Sequence, residues 1–263
     1  MTRLIRGACA PLILALTATP ALAQQDDDAP KLPHRTRVML GPQIAPRYPG
    51  ADSSSVFPII NVDRIRGDAP FTFEAPDESG GFSILRRNGF TLGPAYTLQG
   101  SRRRRDTDGA LPRVGFTVEL GAAVGYMVSP NLRVRAEARQ GIGGHKGLIG
   151  VVSADYIARD ADRWLFSVGP RLTLSNAKYN RAYYGVAPSD AAAAGIPAYD
   201  PRGGAQAIGG AASVLRQLGG RWGVYGFAKY DRLIDDSGRS PVVRDYGSRN
   251  QISGGVALTY TFG

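Results

Sequence analysis

The sequence is poor in the groups on which most chemistry depends. Its single cysteine is Cys9, and its only histidines are His34 and His145. It also lacks a long apolar run and any sustained helical periodicity from which a helical core could be built. Each scarcity excludes something. The one apolar stretch, Pro11 to Ala18, falls well short of the roughly 20 residues a helix needs to cross a bilayer. It follows Arg3 and Arg6 and precedes Ala21-Leu22-Ala23, the small-residue spacing a signal peptidase reads. Residues 1–23 are therefore expected to be a signal peptide cleaved after Ala23, and residues 24–34, with the solvated run Asp26 to Asp28, a periplasmic leader. Cys9 lies upstream of the apolar run and not at the cleavage site, so the exported chain carries no thiol and no disulfide. No cysteine or second histidine lies near His145 to share a metal. The residue two beyond His145 is Gly147, where an outer-membrane phospholipase would carry its nucleophilic serine. The expectation is a protein without catalytic residues, metal or cofactor, in which His145 hydrogen-bonds in a turn or in the interior.

What the chain does have is alternation. From Gln251 to Phe262, Ile252, Gly254, Val256, Leu258, Tyr260 and Phe262 share one face, and Gln251, Ser253, Gly255, Ala257, Thr259 and Thr261 the other. That is a strand with one apolar face, ending in aromatics as the closing strand of an outer-membrane barrel does, with Tyr260 and Phe262 as the insertion signal. The same period of two runs through 90–98, 114–126, 132–139 and 164–175, and less cleanly through 36–47, 55–66, 69–76, 81–87, 147–158, 204–217 and 221–234.

Connections test this inventory without using hydrophobicity. Asn88-Gly89, Ser129-Pro130-Asn131, Arg159 to Asp162 and Gly219-Gly220 are tight turns, and with twelve strands all four follow even-numbered ones. The longer connections, 100–112, 142–147, 178–203 and 235–249, follow odd-numbered ones. Short turns at one rim and long loops at the other predict a closed antiparallel transmembrane β-barrel over 35–263, with short periplasmic turns and longer outer loops. Twelve strands are expected, or ten if 69–87 is partly loop. Closure follows from backbone satisfaction, because lipid offers no partner to an exposed sheet edge.

In such a barrel Glu119, Arg133, Arg135, Glu137, Arg139, Asp155, Arg171, Lys229 and Asp231 point inward. Their mixed signs suggest either ion pairs across a narrow lumen or a charged conduction path. Without Arg3 and Arg6 the chain keeps 30 Lys and Arg against 22 Asp and Glu, a basic balance that favours polyanionic neighbours. For an exported barrel these are lipopolysaccharide phosphate or murein carboxylate and not nucleic acid. Arg102, Arg103, Arg104 and Arg105 form the densest basic run, either a lipopolysaccharide contact or a solvated loop. The loop from Lys178 to Gly204 holds Tyr179, Tyr183, Tyr184 and Tyr199, which serve either as a plug for the barrel mouth or as a partner surface.

Tyr183-Tyr184-Gly185-Val186 followed by Ala194-Gly195-Ile196-Pro197-Ala198-Tyr199 resembles the corresponding segment of the MltA-interacting protein family, also called MipA/OmpV. Tyr48-Pro49-Gly50, Thr117 to Gly121, Glu137 to Gln140, Gly143-Gly144-His145, Ser167 to Pro170, Asp231 to Asp236 and Ser240 to Val243 agree in order, so the resemblance spans nearly the whole exported chain. The chain departs from the family at its end, where Gly263 follows Phe262, and in the region of Arg102 to Arg105. The resemblance implies an outer-membrane scaffold that holds a lytic murein transglycosylase near a penicillin-binding synthase; the chain itself is expected to be a monomeric, non-enzymatic barrel. Family members are also described as porin-like or as adhesins, so a narrow porin-like channel or a surface-binding barrel is the alternative.

Overall fold

The computed structural model describes residues 32–263, so the expected signal peptide and the leader up to residue 31 lie outside the described residues. The strands are β1 (His34–Pro46), β2 (Ser54–Arg66), β3 (Gly80–Gly81), β4 (Leu85–Arg87), β5 (Phe90–Gln99), β6 (Thr117–Ser129), β7 (Leu132–Gly143), β8 (Leu148–Asp160), β9 (Trp164–Ser175), β10 (Gly204–Gly219), β11 (Trp222–Leu233) and β12 (Asn250–Phe262). They form one curled antiparallel sheet in the order β2-β1-β12-β11-β10-β9-β8-β7-β6-β5-β3, with β4 also on β5. The terminal strand pairs with the first, Thr36 opposite Phe262 and Val38 opposite Tyr260.

The alternation decides which face turns out. In β12, Ile252, Val256, Leu258 and Phe262 are exposed while Gln251, Ala257 and Thr259 are buried. In β6, Leu120, Val124 and Tyr126 are exposed and Thr117, Glu119 and Ala123 buried. A sheet that shows its large apolar residues outward and hides polar ones is inverted relative to a water-soluble protein, and suits a hydrocarbon solvent. Connections segregate as expected. Residues 88–89, 130–131, 161–163 and 220–221 make short turns at the end that carries His34 and Phe262; 47–53, 100–116, 144–147, 176–203 and 234–249 lie at the other. Asn88 and Gly89 both have positive φ, 49° and 79°, as a two-residue hairpin turn demands.

The region from 67 to 87 departs from the expectation. Residues 69–76, expected as a strand, form no ladder, whereas 81–87 is represented by two short pieces, β3 and β4, on the same side of β5. The sheet thus has twelve segments but eleven strand positions. Its free edges, β2 and β3–β4, run in the same direction with no pairing between them. The missing antiparallel member between them is the segment 69–76, which lies inside the curled sheet instead. The physical reason is local and non-local at once. Pro70 and Pro76 bracket the segment and supply no ladder N–H. Phe71 and Phe73 find inward guanidiniums, Arg37 4.2 Å from the Phe71 ring and Arg133 4.5 Å from the Phe73 ring. A smaller difference concerns 114–116, expected within a strand. Val114 makes only an isolated bridge with Arg102, and β6 starts at Thr117.

Candidate functional site

Two assemblies occupy much of the space inside the sheet. The first is an ion-pair ladder that contains all nine charged residues expected to point inward. Lys229 Nζ lies 3.0 Å from Asp231 and 3.1 Å from Asp77. Arg171 joins Asp77 at 2.9 Å to Asp155 at 2.8 Å, and Asp155 accepts from Arg133 at 3.3 Å. Arg133 pairs with Glu78, which also meets Arg135 at 3.4 Å. Arg135 lies 2.9 Å from Glu137, Glu137 pairs with Arg139, and Arg139 Nε donates to Glu119 at 2.9 Å. Glu119 and His145 Nε2 close the series at 3.0 Å.

Period two explains why these residues converge. Arg133, Arg135, Glu137 and Arg139 occupy alternate positions of β7, and the same face of β6, β8, β9 and β11 supplies their partners. The strand residues alone carry five cations against four carboxylates. Asp77 and Glu78, from the segment between β2 and β3, supply the anions that bring the cations into register. These two escaped sequence reasoning because they fell in the connection between two expected wall strands, 69–76 and 81–87; the double acid next to a proline was the available signal. The segment is anchored at its other end by Asp162, which accepts from the Phe71 N–H at 3.0 Å and from Arg35 at 3.0 Å.

The second assembly closes the end with the long connections. That end folds into α1 (Ala177–Tyr184), α2 (Pro188–Ala194), α3 (Asp235–Arg239) and α4 (Pro241–Tyr246), elements that the expected loops did not anticipate. Asn176 caps α1 by accepting from the Tyr179 N–H at 3.0 Å. Tyr179, Tyr183 and Tyr184 fall on the buried side and are at most 1% exposed. They pack with Tyr48, Val114, Leu233 and Val243. Gly147 permits this approach, because a Cβ there would collide with the Tyr179 backbone. His145, 2% exposed, stacks edge-on against Tyr179 at 4.7 Å and accepts the Gly147 N–H through Nδ1 at 3.0 Å. It is the joint between cap and ladder.

Burial governs the protonation of the cap. It raises the phenols of Tyr179, Tyr183 and Tyr184 well above their ordinary range, so all three are neutral at physiological pH. The Tyr184 hydroxyl accepts from Gln206 at 2.8 Å; the Tyr183 hydroxyl has no partner. Tyr199 stands apart from this cluster. It is partly exposed, donates to the Asp236 carbonyl at 2.8 Å and pairs through its backbone with Val186.

The basic run divides. Arg102 is 3% exposed and donates to the carbonyls of Tyr183 at 2.7 Å and Pro112 at 3.2 Å, so it belongs to the cap and cannot face lipopolysaccharide; burial lowers its pKa. Its bridge to Val114 turns it inward. Arg103, Arg104 and Arg105 remain exposed. At the opposite end Tyr260 and Phe262 sit on the outward face with ring centroids 4.7 Å apart, and Trp222 lies 4.8 Å from Tyr260. Among the described residues no group of three or more His, Cys, Asp or Glu is placed to hold a metal ion.

The sequence model of a protein family described as "MltA-interacting protein MipA" matches residues 38–262. No curated protein matches the chain. Among solved structures the chain is similar to an outer membrane channel from Pseudomonas putida F1, at 10% identity and TM-score 0.41, covering 92% of this chain and 100% of that one. It is also similar to the KdgM porin, at 11% identity and TM-score 0.39, with 88% and 99% covered.

Proposed function

The chain belongs to the MltA-interacting protein MipA family, and from that membership we propose that it is a non-enzymatic outer-membrane scaffold for murein-remodelling enzymes. Its partners on this reading are a lytic transglycosylase and a penicillin-binding synthase. The observation that carries the reading is an interior obstructed by side chains toward its middle and its long-loop end. A ladder running from Lys229 to Glu119 and a cap of buried tyrosines leave binding to the outside of the barrel. The segment 69–79 lies behind the gap between β2 and β3–β4, and the exported chain begins after Ala23.

The rim of short turns faces the periplasm in this proposal. Exposed Arg66, Arg163 and Arg221 there suit the carboxylates of murein or an acidic partner surface. Tyr199 and the exposed α2 lie at the outer end, where Arg103 to Arg105 meet lipopolysaccharide phosphates. One observation favours the rival, a narrow porin-like channel: a cavity of about 980 Å³ lies within the curled sheet. Chemical cross-linking of intact envelopes followed by purification of the barrel decides between them. The scaffold reading expects a lytic transglycosylase to co-purify in the linked sample and to be lost when Arg66, Arg163 and Arg221 are replaced by Gln. Absence of any murein enzyme from the linked material overturns it.

A further inference from the structure

The cavity is placed where the sheet is incomplete. It is bounded by both free edges, with Asn61 of β2 on one side and Arg86 of β4 on the other, and by Thr72 and Glu74 of the inner segment behind. Glu74 accepts from Asn61 at 3.1 Å and Thr72 from Arg86 at 3.3 Å, so the inner segment spans the gap by side chains and leaves the backbone of both edges unpaired.

The lining has two chemistries. Ile60, Val62, Phe82 and Tyr96 belong to the outward apolar face, between 52% and 68% exposed, so the cavity opens sideways at the level of the hydrocarbon. Its inner wall carries Arg37, Arg133 and Arg135; the buried Nε–H groups of Arg37 and Arg133 have no acceptor, and that of Arg135 lies 3.4 Å from Glu78. The lining as a whole holds six arginines against three carboxylates, Asp63, Glu74 and Glu78. Unpaired strand edges do not persist against lipid tails, because neither their N–H nor their C=O groups find partners there. Water can fill the polar inner wall but leaves the apolar rim uncovered. An amphiphile with an anionic head satisfies both walls, and the volume lies within the range of ligand cavities.

We propose that this lateral gap is a binding site for an anionic membrane phospholipid, its phosphate drawn inward to the guanidiniums and its acyl chains lying along Ile60, Val62 and Phe82. The inference needs only the placement of the barrel in a bilayer and is independent of the scaffold role. A lipid held in the wall covers the apolar rim of the gap, and its exchange makes the barrel sensitive to the charge of the surrounding membrane.

Native mass spectrometry of the barrel purified from outer membranes tests this with two lipids, phosphatidylglycerol and the zwitterionic phosphatidylethanolamine. One phosphatidylglycerol is expected to bind about tenfold more tightly than phosphatidylethanolamine. Arg86→Gln lies outside the ion-pair ladder and should weaken that preference severalfold, whereas Arg216→Gln, on the outward face of β10, leaves it unchanged. Ser83→Cys, within the cavity lining, should lose the bound lipid on labelling with a bulky maleimide. Heat-modifiable migration on a gel reports that each variant is folded. Equal retention of the two lipids, or phosphatidylglycerol retained by labelled Ser83→Cys, overturns the proposal. Loss of the murein partner with lipid retention intact defeats the scaffold reading alone; absence of the chain from outer-membrane fractions defeats the shared premise.

Discussion

Toward the long-loop end the interior is stopped by neutral rings: Tyr179, Tyr183 and Tyr184 pack against Val114, Leu233 and Val243. Toward the middle it is stopped by charges, with Asp77 held between Arg171 and Lys229 and Glu78 between Arg133 and Arg135. The two regions respond to different insults. The cap derives its stability from apolar area, which tolerates salt and fails when a ring is removed or ionised. The ladder depends on each charge keeping its partner in a low-dielectric space, where an unpaired member is more costly than a missing pair. Segments taken from loops serve both, but only the cap segment forms helices.

Breaking the ladder should have the larger effect. Asp77→Ala leaves Arg171 and Lys229 facing each other with one carboxylate each, Asp155 and Asp231, and is expected to cost about 3–5 kcal/mol, as loss of one member of a buried pair does. Urea titration followed by the heat-modifiable gel shift measures it. Replacing Arg171 and Asp77 together by Met and Leu should recover most of the loss, and failure to recover would mean that Asp77 acts through something other than charge.

Alkali should separate the two regions next. Burial raises the Tyr179, Tyr183 and Tyr184 phenols in the folded cap, so the unfolded chain releases those protons first. Their contribution is fully present below about pH 10 and is lost progressively as pH rises above it toward the raised folded values. Protease accessibility of 176–203 is expected to increase over that window while the strands remain protected. Simultaneous exposure of loop and strands would erase the distinction between cap and ladder.

The smallest effect distinguishes two neighbouring rings. Tyr184→Phe deletes the hydroxyl that accepts from Gln206 and should cost about 1 kcal/mol, whereas Tyr183→Phe removes a buried hydroxyl without a partner and should be neutral or slightly stabilising. Thermal midpoints of the two variants, compared side by side, check the order.

Much of this arrangement is legible in the sequence because a membrane inverts the usual pattern. An outward apolar face on β6, β7, β9 and β12 marks each of them without any partner being known, and the position of Asn88-Gly89 sets the parity of the turns. The inward charges of β7 follow from the same period. What could not be read is the path of 69–79. Phe71, Phe73 and Ala75 alternate with Thr72 and Glu74 as a wall strand would, and nothing local distinguishes a strand in the wall from one drawn inside. The decision rests on Arg171 and Arg133, 94 and 55 residues away in sequence from the acids they hold. The tyrosines at 179, 183 and 184 have helical spacing, yet α1 depends for its place on the glycine at 147 and on His145, contacts that emerge only when β7 and β8 are paired.

An obstructed interior leaves the surface of the barrel to carry the function. Reconstitution of the purified barrel in planar bilayers tests that most directly. Stable insertion without step-like conductance is the predicted result. Persistent open channels of uniform size in the wild-type protein would contradict it.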